Sequence, residues 1–144
     1  EGNYHAIDRS LAKDQAEREQ MMRDCMFCDV FLTGANGLSL DGQMVNIDGM
    51  GNRVAAIVYG PESIIVIAGM NKVEDTLEAA MNRARSVAAP MNKQRFPNQT
   101  PCEVTGKCGD CYSQESICSQ VLITRRSSAP NRIKVILVGE ELGY

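Results

Sequence analysis

The run 63-SIIVIAG-69 sets the terms for the fold. It is short, continuously apolar, and bounded by Gly60-Pro61 before it and a polar stretch after it. Such a run reads as a strand covered on both faces, the kind a parallel sheet buries. Helical patterns stand on either side of it. To its N-terminal side, 52-NRVAAIVYG-60 reads as a helix stopped by Gly60-Pro61. To its C-terminal side, Asn71 opens a helix to about Ala89, with Val73, Leu77, Ala80, Met81, Ala84 and Val87 at helical spacing. Glu74, Glu78, Arg83 and Arg85 lie largely on the other faces, and Pro90 ends the helix. Strands alternating with helices predict an α/β fold whose sheet has parallel portions.

The remaining stretches fit this frame. Asn3 to Asp8 reads as a short strand, and Ser10 as the N-cap of a polar helix running to about Cys25. The segment 27-FCDVFLTG-34 reads as a buried strand ended by glycine. In 37-GLSLDGQMVNIDG-49, Asp41-Gly42 between alternating residues signals a hairpin. Residues 90 to 118 have no clear period and form a long loop, of the kind that usually carries a function. Strands at 119-SQVLITRR-126 and 132-RIKVILVG-139 finish the chain, joined by Ser127 to Asn131. The 144 residues suffice for one domain with a core of its own. The opening 1-EGNYHAID reads as the interior of a longer protein.

Charge and composition exclude some functions. The net charge is -3 and aromatics are 5% of the chain, so no basic, aromatic-laced surface is available for nucleic acid. Arg125, Arg126 and Lys134 are too sparse to track a phosphate backbone. No apolar run approaches the roughly 20 residues that span a bilayer. Six cysteines and eight methionines with no secretion signal point to a reducing, cytoplasmic setting.

In that setting clustered cysteines serve metal or redox chemistry more often than structural disulfides. Four of the six lie in 102-CEVTGKCGDCYSQESIC-118. Cys102, Cys108, Cys111 and Cys118 would complete a tetrahedral zinc site or bind a cubane iron–sulfur cluster. The Cys108-x2-Cys111 pair places two sulfurs on one turn, and Gly106 and Gly109 allow the tight backbone that turn needs. The spacing matches neither a standard ferredoxin run nor a common zinc ribbon, so free thiols in a loop remain the alternative. Cys25 and Cys28 form another CxxC, but they stand where a helix turns into a strand. They read as small apolar packing residues.

The second stretch with chemistry is 45-VNIDGMGNRVAA-56. A glycine turn, Gly49 and Gly51, enters a helix at Asn52 and Arg53. Free backbone N–H groups at such a terminus attract phosphate or carboxylate, and Arg53 adds a charged fork. Asn36 ends the preceding strand, where ligands collect in open α/β sheets. These five residues form the expected anion site. The alternative is a glycine turn made for its geometry, with Arg53 paired to a carboxylate. His5 is the single histidine, so no Ser-His-Asp set is available, and Asp41, Asp48, Glu140 and Glu141 read as solubilising acids.

The strings 29-DVFLTGANGLSLDGQMVNIDGMGNRVAAIVYGP-61, 88-AAPMNKQR-95, 100-TPCEVTGKCGDC-111 and 134-KVILVGEELGY-144 resemble the lactate-utilization (LUD) domain family. The resemblance runs from about residue 20 and includes the cysteine loop, a feature of one branch. It implies the three-layer NagB/RpiA/CoA transferase-like fold shared with ribose-5-phosphate isomerase and glucosamine-6-phosphate deaminase. Family members begin with a further helical segment and a Gly-rich strand–turn, so the chain reads as lacking an N-terminal part of the domain. In the isomerase an acid follows the Gly-Ala; here the position is Asn36, and an amide takes up no proton at neutral pH.

The resemblance thus implies an accessory role in lactate or organic-acid utilization, with a small anionic metabolite as ligand and iron–sulfur subunits as partners. Two other readings stay open. One is an isomerase or CoA-transferase-like enzyme acting on a phosphorylated or carboxylated small molecule. The other is an iron–sulfur redox or scaffold subunit. An exposed sheet edge would favour a homodimer.

Overall fold

The computed structural model describes residues 4–97 and 99–144. The chain builds two sheets and packs helices around them. Sheet A holds β1 (Val30–Thr33), β4 (Ser63–Gly69) and β7 (Ile133–Val138), with β4 in the middle and both pairings parallel. Sheet B runs β5 (Val73–Glu74), β2 (Gly37–Ser39), β3 (Met44–Asp48), β6 (Gln120–Thr124). There β2 and β3 form the antiparallel hairpin read from Asp41-Gly42, and β6 pairs antiparallel with β3. Helices and strands interleave in an α/β fold with parallel portions, in keeping with the three-layer class.

The layers follow from which side chains each strand turns inward. Ile64, Val66 and Ala68 of β4 are sealed from water and meet Ala35, Leu38 and Met44 from the sheet B side. Ile57 of α2 (Asn52–Val58) completes this core. Val45 and Ile47 point the opposite way and pack on Ala80 and Ala84 of the long helical segment. Each fully buried Val, Leu or Ile contributes roughly 1.5–3 kcal/mol relative to exposure. The other face of sheet A is not covered as expected: Val30, Leu32, Ile67 and Ile136 are exposed. Alternation along β4 therefore holds where full burial was read from its continuous apolarity.

Several boundaries differ for local reasons. Residues 4–8 form no strand, and Asn3 lies outside the described residues. Ser10 does not cap a helix; it sits in a 3-10 turn (Arg9–Leu11) whose cap is Asp8. The helix α1 (Gln15–Asp24) starts instead at Asp14, whose side chain accepts from Glu17 N–H at 2.8 Å. Likewise Asn71 belongs to a 3-10 turn (Met70–Lys72), and α3 (Leu77–Arg83) begins after the Thr76 cap. Pro90 does not end the helical segment. A π-helical turn (Ala84–Ala88) widens the ladder and leads into α4 (Ala89–Lys93), where proline falls in the first turn and its missing N–H costs little. Pro101 opens a further short helix, α5 (Pro101–Thr105), inside the expected loop.

One side chain ties the C-terminal half to the core. Arg132 donates from Nη1 to Ile57 O at 2.7 Å, from Nη2 to Ala56 O at 3.1 Å, and from Nε to Pro61 O at 3.0 Å. The guanidinium thus satisfies carbonyls in the last turns of α2 that the helix leaves open. Arg132→Ala is expected to lower unfolding stability by about 2–3 kcal/mol, the scale for charged hydrogen bonds and stranded carbonyls. Arg125→Ala, at an exposed site, is expected to stay within about 0.5 kcal/mol. Chemical denaturation of the two variants checks the contrast.

Candidate functional site

The glycine turn lies where it was expected, between β3 and α2, but the chain supplies its own anion there. Asp48 Oδ2 accepts from Arg53 N–H at 2.9 Å and from Val54 N–H at 3.3 Å. Gly51, with φ +81, bends the chain so that the carboxylate reaches back onto the helix end. Asp48, read as a solubilising acid, is therefore a cap. Asn52, with its amide oxygen turned to the partners that suit it, accepts from Arg53 N–H at 3.3 Å and from Arg9 Nη1 at 3.2 Å. Gly49 faces the cysteine loop, and a Cβ there would meet Ile117 O at 3.4 Å, an ordinary contact distance.

Arg53 turns inward rather than toward a ligand at the helix end. Its Nη2 donates to Asn36 Oδ1 at 2.9 Å and to Ile47 O at 2.6 Å. Asn36 Oδ1 also accepts Ile47 N–H at 2.8 Å. Loss of water around the guanidinium lowers its pKa from the ordinary value; Asp48 opposes that and Arg9 adds to it. Of the five residues expected to hold an anion, Asn36 and Arg53 are in direct contact. Gly49, Gly51 and Asn52 shape the turn.

Two cations that the sequence left unassigned stand in the same neighbourhood. Arg83 was expected on an outer helix face, yet it is 7% exposed. Its Nε donates to Asn71 O at 2.6 Å and its Nη1 to Asn36 O at 2.7 Å, while Glu74 Oε1 lies 4.0 Å from Nε. Lys72, in the 3-10 turn after β4, is also 7% exposed. Burial first, then Arg83 and Arg53, holds its pKa below the usual lysine value. One signal was available for Lys72: it follows the carboxyl end of a buried parallel strand, where such folds place ligands.

The four loop cysteines share a cavity of about 630 Å³ between the helical segment and β3/β6. Cys102 stands on α5, with its sulfur 3.3 Å from Thr100 Oγ1. Cys108 and Cys111 flank Gly109 and Asp110, and Asp110 takes a left-handed φ of 47. Ion pairs fasten this segment to the helices behind it: Arg85 with Asp110, and Lys93 Nζ with Glu103 Oε2 at 3.2 Å. Lys93 is wholly buried, so the second pair anchors α5 firmly. Glu115 accepts from the Gln99 N–H on the other side of the loop.

The sulfurs feel one another. Partial loss of water at its sulfur, then the charges of Cys108, Cys102 and Cys111, pushes the Cys118 thiol up. Cys118 is exposed as a residue while lining the cavity, so the desolvation is that of one side only. The thiols are not drawn together at ligating distance: among the described residues no three His, Cys, Asp or Glu side chains form a metal-binding group. The donor set suits a soft or borderline cation, and four thiolates on one cavity repel unless a cation joins them.

Cys25 and Cys28 sit apart and half-buried, and Cys28 Sγ donates to Cys25 O at 3.0 Å. Burial raises the pKa of both thiols, and they occupy packing positions. His5 is exposed.

A raised thiol pKa means less thiolate at a given pH, hence slower alkylation. Cys118 is therefore expected to gain reactivity only as pH passes above the ordinary thiol value of about 8.5. Cys108→Ser removes its strongest charged neighbour and is expected to speed alkylation of Cys118 about two- to threefold at a fixed alkaline pH. Mass-spectrometric mapping of iodoacetamide adducts in the metal-free protein reads both effects.

Among the described residues no helix is long and apolar enough to cross a membrane. No curated protein and no solved structure matches the chain. The family model described as the LUD domain matches residues 1–138, which takes in both sheets and the cysteine loop and starts earlier than the recognisable strings. The chain belongs to the LUD domain family, and a role related to lactate utilization comes with that membership.

Proposed function

We propose that the protein is an accessory component of lactate or related organic-acid utilization that holds one metal centre on Cys102, Cys108, Cys111 and Cys118. The observation that carries this reading is the shared cavity: four thiols spread over seventeen residues of sequence line one space of about 630 Å³. Free thiols scattered along a solvated loop would have no reason to face a common volume. Two ion pairs hold the loop against its helices, Arg85–Asp110 at the surface and Lys93–Glu103 with its ammonium buried, and they keep the ligands near their partners before the metal arrives.

The donor set admits zinc or an iron–sulfur cluster. A cluster would give the protein a redox centre and iron–sulfur partner subunits to exchange electrons with; zinc would give it a closed structural clip. The cluster is the centre we propose, with zinc as the alternative the same donors admit. Isomerase or CoA-transferase-like chemistry on a small anion is the second reading, and it draws on the cationic junction of the two sheets rather than on the loop.

Metal analysis and absorption spectroscopy on protein purified without oxygen test the proposal. Iron with sulfide and a visible band that reductant bleaches is the expected result, and Cys108→Ser or Cys111→Ser should lose most of the iron. Stoichiometric zinc would keep the metal and remove the electron-transfer role. A colourless, metal-free protein that fails to take up either metal sinks the proposal.

A further inference from the structure

Sheet A ends on an unguarded strand. Its order is β1-β4-β7, so β7 is an edge, and among the described residues no strand pairs with its outer side. The hydrogen bond from Ile64 N–H to Arg132 O, at 2.7 Å, fixes which groups are left over. The N–H and C=O of one residue point to the same side of a strand, and that side alternates along it. With Ile64 in parallel register with Ile133, Arg132, Lys134, Ile136 and Val138 turn their backbone groups to β4. Ile133, Val135 and Leu137 turn theirs outward, a row of donors and acceptors with no ladder partner.

Edges of this kind are usually blunted by charge, proline, a bulge or shortness. β7 has little of this protection. It is six residues long, without proline or glycine, and Lys134 is its one charge. Lys134 leans off the edge, since its Nζ donates to Ser63 Oγ at 2.9 Å and to Asn131 O at 2.7 Å. The other edge strands are better guarded. β5 has two residues, β1 has four and follows Asp29, and β6 runs into Arg125-Arg126. Both faces of β7 are open as well. Val135 and Leu137 lie in register with the buried Val66 and Ala68, yet they are about half exposed, and so is Ile136 on the opposite face. A partner strand would gain apolar contact on both faces.

The order of charge along the strand says which partner fits. Arg132 and Lys134 stand at its start, and Glu140 and Glu141 stand just past its end. Neither glutamate forms an ion pair among the described residues. A second copy running antiparallel brings each basic start toward the other's acidic end, twice over. A parallel copy would set like charge against like. The antiparallel register centred on Val135 also matches the free backbone groups. Val135 faces Val135 of the second copy and Ile133 faces Leu137, and each such pair exchanges both its hydrogen bonds. Lys134 then faces Ile136, so no like charges stand directly opposite. An extended segment of another protein could use the same N–H and C=O groups, but this charge order does not select one. A strand that complements itself in one register is the signature of a two-fold interface.

We propose that β7 is a dimerisation edge, which pairs antiparallel with β7 of a second copy across a two-fold axis at Val135 and joins two three-stranded sheets into one continuous sheet. A single strand pair falls short of the roughly 1,200 Å² at the lower end of stable interfaces, so the dimer dissociates on dilution through the micromolar range. None of the residues lining the cysteine cavity belongs to β7, and a metal-free result there leaves this interface standing.

Sedimentation velocity of the full chain, from about 1 µM to about 200 µM, tests it. The mass is expected to move from that of one chain to that of two. Val135→Lys sets like charges opposite each other on the axis and should weaken association about tenfold or more. Val135→Pro removes only an outward N–H, so it should weaken association while the pairing with β4 is kept. Val121→Lys, at an exposed site on the β6 edge, should leave association unchanged. Amide hydrogen exchange of the unaltered protein needs no variant: Ile133, Val135 and Leu137 should exchange several times more slowly at the high concentration than at the low one. A one-chain mass throughout, association that Val135→Lys leaves intact or that Val121→Lys weakens equally, or outward amides whose exchange ignores concentration, overturns the proposal.

Discussion

The two sheets are joined at their shared edge by one buried guanidinium. Arg83 reaches from the end of α3 and donates to carbonyls in both connections, Asn36 O and Asn71 O. Each of these carbonyls lies where the chain leaves sheet A, so neither can be satisfied by a ladder partner in that sheet. Without the guanidinium two peptide oxygens would face a low-dielectric interior. With it, the crossings of β1 and β4 are fixed relative to each other and to the helix. The rest of the junction depends on this arrangement. Asn36 is held in place for Arg53, and the turn that presents Lys72 is held against Gly34. A guanidinium suits the task better than an ammonium because its planar fork serves two acceptors that diverge.

Elements governed by local rules were legible. The apolar run at 63–69, the Asp41-Gly42 hairpin and the helix stopped by Gly60-Pro61 depend on periodicity and turn chemistry. Helix starts were less so. Ser10 and Asn71 are acceptable caps, but Asp14 and Thr76 are also acceptable, and packing decides among them. The extension past Pro90 was hidden for a different reason. A π-helical turn changes the hydrogen-bond count just before the proline, and no single-residue preference announces it. The burial of Lys72 and Arg83 has no local cause at all. Both are ordinary cations on polar stretches, enclosed in part by residues far along the chain, Asn36 over Arg83 and Gly34 and Gly143 beside Lys72.

The candidate sites divide in the same manner. Four cysteines in one loop are visible in any reading of the sequence, whereas their common cavity is a tertiary result. The glycine turn was visible as a place for an anion, and the structure fills it with Asp48, five and six residues upstream of the amides it caps. A short sequence signal could not separate an internal carboxylate from an external one. Both satisfy the same N–H groups, and the difference lies only in whether Gly51 bends the chain back far enough.

The cysteine cavity and the cationic junction touch through a single strand. Ile47 lines the cavity with its side chain and gives its carbonyl to Arg53, whose other bond fixes Asn36. Ile117, from the cysteine loop, rests on Gly49, and Gln120 at the end of that loop lies against Gly51. A loop that tightens around a metal would therefore press on the turn that positions Asp48 and Arg53. Packed interiors pass such displacements on because they have few voids to absorb them.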